Sequence, residues 1–278
     1  MTQIAQERAT PLPRKAAVQA ERLSWMLGIT AILGFLYLPI AVLVTFSFNT
    51  SRSLTWPMSG LTLDWYKKLA SNDQLIDAFF NSVYVATSAT SLTLIIGVPA
   101  AIALDRIDFP GKGLFRKLIL LPIALPGIIT GISMLILFRA IGFNLSLEAV
   151  IVGHATALLA VVVTQVYARL QRLPPSLAEA SADLGASGLQ TFFWVTLPNI
   201  RTAVIGSGML AFTLSFDEIP VTFFLTGRDN TLPMYIWSTM RRGLTPEINA
   251  IGSLIVLMSA ILIFLSVMLL RDKTKPKK

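Results

Sequence analysis

Six stretches of this 278-residue chain contain no Asp, Glu, Lys or Arg: 23–51, 78–104, 118–138, 149–168, 202–216 and 248–270. Apolar runs of that length are too long for a soluble core. A helix of about 20 apolar residues instead crosses roughly 30 Å of hydrocarbon with its backbone polar groups satisfied internally. Five stretches meet that length, and 202–216 falls short unless Asp217 and Glu218 also lie inside the membrane. The expected fold is an all-α membrane protein with six transmembrane helices, at about 23–48, 82–104, 118–138, 149–168, 202–225 and 248–270.

The formal net charge of +8 raises the question of nucleic acid, and its placement answers it. Of the 23 Lys and Arg, sixteen fall in 1–22, 105–117, 169–201 and 271–278, and seven in the alternate segments 48–80, 139–148 and 226–247. Positive charge is retained on the cytoplasmic side, so both termini are expected inside (N-in/C-in) and no nucleic-acid partner is implied. Attraction to anionic membrane lipid is a secondary consequence. Residues 1–22 then read as a loosely ordered cytoplasmic tail, 23–270 as the transmembrane domain and 271–278 as a basic cytoplasmic tail. The first apolar run is too long for a cleaved signal and ends without a small-x-small site, so it reads as an uncleaved span. With no cysteine in the chain, disulfides and thiolate metal sites are excluded, and no metal site is expected.

On the external side, Trp65, Tyr66, Leu69, Leu75, Ile76, Phe79 and Phe80 recur at roughly helical spacing, which predicts an interfacial amphipathic helix within 48–80. It reads either as a vestibule wall or as packing against neighbouring spans. In the third span, Leu121-Pro122, Pro126-Gly127 and Gly131 imply a kinked or partly unwound helix. Broken backbone at membrane depth is tolerated where protein or a water-filled cavity covers it, so Pro126 and Gly127 read either as lining a pathway or as a simple kink with close glycine packing. His154, the only histidine, reads as a hydrogen-bonded core residue or as a proton relay.

The fifth span carries Phe216-Asp217-Glu218-Ile219-Pro220. A helix starting near Thr202 would place Asp217 roughly 22 Å from the cytoplasmic boundary at about 1.5 Å per residue, inside the outer part of the membrane. Acids there avoid lipid, and Pro220 predicts a helix break beside them. Two readings stand: a cation-attracting point on a pathway, or a structural pair with Arg241, Arg242 or a basic group on a partner chain.

Between the fourth and fifth spans lies a polar island, 174–198. Ser176 with Glu179, and Ser187 with Gln190, read as capping boxes, Gly185 as the turn between two helices, and Pro198 as the stop of the second. A folded cytoplasmic knob follows. Gly111-Lys112-Gly113 is not a phosphate-binding loop, because the upstream Gly is missing and no Ser or Thr follows the Lys. The chain is therefore not expected to be an enzyme or to bind a cofactor.

Glu179-Ala180, Gly185 and Leu197-Pro198 together resemble the EAA loop of type I ABC importer permeases. Ser181, in place of a second Ala, and Val195, in place of Ile, depart only slightly from that pattern. Ser47-Phe48-Asn49, Leu121-Pro122 to Pro126-Gly127, Ala178 to Ala186, Phe212-Thr213-Leu214-Ser215 and Arg271 to Lys275 are further similar to the second permease subunit of spermidine/putrescine importers. The resemblance implies a type I importer fold with a cytoplasmic coupling helix pair. Ser176, Glu179, Ala180, Asp183, Gly185 and Ala186 would dock the ATPase, and Leu197 and Pro198 would end the helix behind them. It implies an ATPase dimer carrying ATP and Mg, a second and different permease chain, and a periplasmic or extracellular binding protein, in a bacterial inner membrane. Phe216, Asp217, Glu218, Pro126 and Gly127 become candidates for the path of a small cationic amine. Proton-coupled transport through Asp217 and Glu218, and a non-transport membrane scaffold, are the alternatives. The first leaves the knob unexplained and no internal repeat supports it, while in the second the knob binds some other cytoplasmic protein.

Overall fold

The computed structural model describes residues 14–52, 55–243 and 245–271, and its regular structure is helical. The helices are α1 (Arg14–Phe46), α2 (Asp64–Ala70), α3 (Asp73–Arg106), α4 (Lys112–Ala124), α5 (Gly127–Ala140), α6 (Leu147–Leu170), α7 (Ser176–Asp183) and α8 (Gly188–Thr191). A π-helical turn, Phe192–Thr196, leads into α9 (Leu197–Phe216), followed by α10 (Pro220–Leu225), α11 (Leu232–Arg242) and α12 (Pro246–Arg271). The chain divides into two compact units, 1–69 with 243–278, and 70–242. Among the described residues, three helices are long and apolar enough to cross a membrane: Glu21–Phe46 of α1, α3 and α6. A fourth span exists if α4 and α5, bent by 110° at their junction, count as one.

In the first unit α1 begins at Arg14, inside the segment read as a loose tail, where Ala16, Ala17 and Ala20 favour helix. The tail residues 1–13 and 272–278 lie outside the described residues. Gly252 of α12 faces Leu43 of α1 so closely that a Cβ would stand 3.0 Å from its side chain. The chain after α1 folds back on itself around Asn49, which is fully buried. Its side-chain oxygen accepts from the amides of Ser51 and Ser59, and its carbonyl accepts from the Trp65 indole at 2.8 Å. Lys68 and Glu247 form an ion pair at 3.0 Å.

The second unit is built on α3, α6 and α9. Val98, Ala101, Leu104, Val162, Val163, Val166, Ile200 and Ala211 are buried between them. Gly97 makes the approach of α3 to α6 possible, since a Cβ there would lie 2.9 Å from Val162. The single interfacial helix expected within 48–80 is two: Trp65, Tyr66 and Leu69 lie on the short α2, and Leu75, Ile76, Phe79 and Phe80 are the first turns of α3, which Asn72 caps by accepting from the Leu75 amide. Nothing interrupts the helix from Asp73 onward, and its 34 residues make it about 50 Å long. Phe138, Val150, Val221 and Leu225 form a second buried cluster, which joins α5, α6 and α10.

Gly131 is where α5 meets α10. A Cβ at this position would stand 2.8 Å from Phe224 and 3.1 Å from the Pro220 carbonyl, and the backbone cannot yield as a side chain can. Gly131→Ala is expected to destabilise the protein by about 1–3 kcal/mol, read as a fall in thermal midpoint of the purified protein, while alanine at the open Gly206 should not.

Candidate functional site

Two local arrangements could carry function, and both lie in the second unit. The first is the helix pair α7–α8. α7 starts from Pro175, whose backbone is helical and whose position receives no side-chain cap, so the capping box expected of Ser176 and Glu179 does not form. Pro at the helix start has no amide to cap, and the chain is already turning before Ser176. The second box does form: the Ser187 hydroxyl accepts from the Gln190 amide while the Gln190 side chain accepts from Ser187.

Gly185 has φ +81°, and its amide bonds to the Ala182 carbonyl at 2.8 Å while the Ala186 amide bonds to Ser181 at 3.1 Å. These two bonds satisfy carbonyls at the end of α7 in the left-handed geometry that favours glycine. Ser181, the departure from alanine, is buried and hydrogen-bonds Thr191 at 2.9 Å, tying α7 to α8 across the turn. Sequence reading missed this pair, whose partners are ten residues apart.

Leu197 and Pro198 do not end the helix behind the knob. α8 runs through the π turn into α9, with the Leu197 amide reaching the Phe192 carbonyl and Pro198 in the first turn of α9. A π turn shifts the hydrogen-bond register by one residue, and a proline in a first turn leaves no needed amide missing. The second helix of the knob is therefore continuous with α9. Arg106 at the end of α3 donates to the Thr196 hydroxyl at 2.8 Å, and Arg169 of α6 donates to the Asn199 carbonyl at 3.2 Å. Gln171 bonds Asp105. A cavity of about 480 Å³ lies among Asp105, Arg106, Gln171, Pro175, Glu179 and Thr196.

Ser176, Glu179, Ala180 and Asp183 are all exposed on α7, and Ala186 is half-buried. Beside them Leu184 is 89% exposed, Leu189 72% and Trp194 81%, an apolar outer face that the scaffold does not use. Single exposed apolar residues are ordinary; three on one folded knob mark a surface built for contact.

The second arrangement is a pair of helix breaks. α4 ends at Ala124 and α5 begins at Gly127 after Pro126, whose carbonyl accepts from the amides of Ile129 and Thr130. α9 ends at Phe216, Asp217 follows in a non-helical conformation, and α10 begins at Pro220. The expected fifth span is thus two helices with the acids at the junction. The breaks meet: a Cβ on Gly127 would lie 3.3 Å from Pro220 and 3.4 Å from the Glu218 carboxylate. Glu218 is half-buried, and its Oε1 accepts from the Val221 amide at 3.0 Å, holding the start of α10.

Asp217 is exposed. Phe216 stacks on Phe212 with centroids 6.0 Å apart and meets Phe79 edge-on at 6.3 Å, so aromatic faces flank the acids. Among the described residues no ion pair involves Asp217 or Glu218. Arg241 lies over the Trp237 ring at 4.8 Å, and Arg242 donates to Thr239, so the expected pairing with the acids is not formed. His154 lies against this junction, fully enclosed and hydrogen-bonded on both ring nitrogens.

Comparison with known proteins places these features in a family. Residues 93–275 match the family model described as binding-protein-dependent transport system inner membrane component. The chain is 36% identical over 248 residues to the spermidine/putrescine transport system permease protein PotC of Escherichia coli strain K12, covering 88% of this chain and 93% of that protein. It is 38% identical over 240 residues to the putrescine transport system permease protein PotI of the same strain, covering 83% of each. Its fold is similar to a chain of a bacterial alginate ABC transporter solved in complex with an alginate pentasaccharide-bound periplasmic protein. That match has a TM-score of 0.69 at 18% identity and covers 95% of this chain and 99% of that one. The chain is a membrane permease subunit and belongs to the family of binding-protein-dependent transport system inner membrane components.

Proposed function

We propose that this chain is one permease subunit of an ATP-driven importer and forms part of the path for a small aliphatic polyamine. The observation that carries the reading is the 36% identity across 88% of the chain to a spermidine/putrescine permease, since it spans both the knob and the breaks. Six spans follow if α1, the α4–α5 pair, α6, α12 and α3 each cross once and the α9–α10 pair makes the remaining one. The charge distribution then puts both termini and the knob in the cytoplasm of a bacterial inner membrane.

In this reading the exposed face of α7 and α8 docks a partner ATPase, which carries ATP and Mg. An external binding protein delivers the substrate, and a second permease chain completes the path. Closure of the motor pushes the knob, and the unbroken helix from Gly188 into α9 carries that motion toward the acids. Asp217 and Glu218, without a cationic partner among the described residues, are suited to receive an ammonium group, and the faces of Phe212 and Phe216 add cation–π attraction.

The test is ATP-dependent uptake of radiolabelled putrescine and spermidine by the complete complex in proteoliposomes. Glu179→Arg and Gly185→Val should abolish uptake and substrate-stimulated ATPase while the chain still inserts; wild-type uptake in both would overturn the docking assignment. Valine at φ +81° costs about 1–3 kcal/mol of local strain, enough to melt the turn of a short exposed helix pair. For the acids, Asp217→Asn with Glu218→Gln should raise the half-saturating amine concentration about 10- to 100-fold, the range for losing a charged hydrogen bond. Unchanged uptake would remove the acids from the path.

A further inference from the structure

His154 sits on α6 with 1% of its surface exposed, and both ring nitrogens are engaged across the break between α9 and α10. Nδ1 lies 2.8 Å from the Ser215 hydroxyl in the last turn of α9, and Nε2 lies 2.9 Å from the Thr222 hydroxyl in α10. Thr222 donates its own hydrogen to the Glu218 carbonyl at 3.0 Å. A hydroxyl has one hydrogen to give, so Thr222 accepts from His154, Nε2 carries the ring proton, and Nδ1 accepts from Ser215. The hydrogen bonds therefore run in one direction, from Ser215 to His154 to Thr222 to the backbone of Glu218.

That order matters because the Glu218 carbonyl is one of the groups a helix break sets free, and inside a membrane such a group needs a partner. Gly153, next to the histidine, brings α6 close enough for the bridge: a Cβ there would stand 2.5 Å from Leu225 and 2.9 Å from Val221. Both ends of the break are thus referred to one rigid ring on a neighbouring helix. Simple packing needs only an apolar side chain of that volume. A ring bonded at both nitrogens to opposite sides of a break sets the angle between them.

We propose that His154 is a positioning residue for amine transport: it holds the α9–α10 break in the geometry that presents Asp217 and Glu218 to the path. The proposal rests on the reading of those two acids as the amine-receiving groups. His154 itself does not touch the substrate.

The chain contains no cysteine, so Ile219→Cys places a single thiol in this subunit, at the break. In the complete complex in proteoliposomes, its labelling rate by a membrane-impermeant maleimide should change about five- to thirtyfold in His154→Ala and Thr222→Val. That is the ratio one or two kcal/mol represents. Thr222→Ser, which keeps the hydroxyl, should restore the parental rate. In the cysteine-free parent, His154→Ala should raise the half-saturating putrescine concentration by a similar factor at an unchanged amount of assembled complex. It should add nothing further in an Asp217→Asn, Glu218→Gln background. Parental labelling in His154→Ala, additive effects with Asp217→Asn and Glu218→Gln together, or loss of assembled complex in step with uptake in both His154→Ala and Thr222→Val would overturn the proposal. If the Asp217 and Glu218 amides transport normally, the acids fail as amine receptors, and the labelling rates still decide whether His154 sets the break.

Discussion

Backbone groups released by a helix break have no water to turn to in hydrocarbon, and this chain has two breaks in its apolar segments. The two touch. Pro126 supplies a carbonyl to the first amides of α5, Glu218 supplies a carboxylate to α10, and Gly127 and Gly131 let the two helix starts lie against each other. The Glu218 carbonyl is met by the Thr222 hydroxyl, which also bonds His154. That close approach accounts for the glycines here. Of the two carboxylates, Glu218 is partly spent on holding a helix start, and Asp217 is exposed.

The α7–α8 pair follows a different logic. Ser181 and Thr191 are its buried residues, so its order does not come from a large core. Local devices hold it instead: a left-handed glycine, a capping box, the buried Ser181–Thr191 bond, and two arginines that tie the π turn to the end of α3 and the start of α9 to the end of α6. From Gly188 the helix runs without interruption into α9, and its base is hydrogen-bonded on both sides.

How much of this was legible varies with the range of the interaction. The Ser187–Gln190 box, the Gly185 turn, the break at Asp217 and the interruption near Pro126 are written within a few residues, and sequence reading reached them. Ser176–Glu179 misled, because a prolyl start had already set the helix; Pro198 misled, because a π turn absorbed it. The helix expected near the external surface is divided between α2 and the start of α3, because periodicity runs on past the Asn72 cap that separates them. The Ser181–Thr191 and His154 contacts were invisible, as they join residues that only folding brings together.

By itself, then, the sequence determined the helical membrane character of the chain, the places where helices must bend or stop for want of an amide, and the polar, glycine-hinged knob. These depend on hydropathy and on backbone chemistry that each residue carries with it. The tertiary structure alone decided that the two breaks pack against one another, that the acids lack a basic partner among the described residues, and that a lone histidine spans the α9–α10 break. Those facts rest on the close approach of helices, which is set by side-chain shape across long separations in the chain and leaves no periodic trace in it.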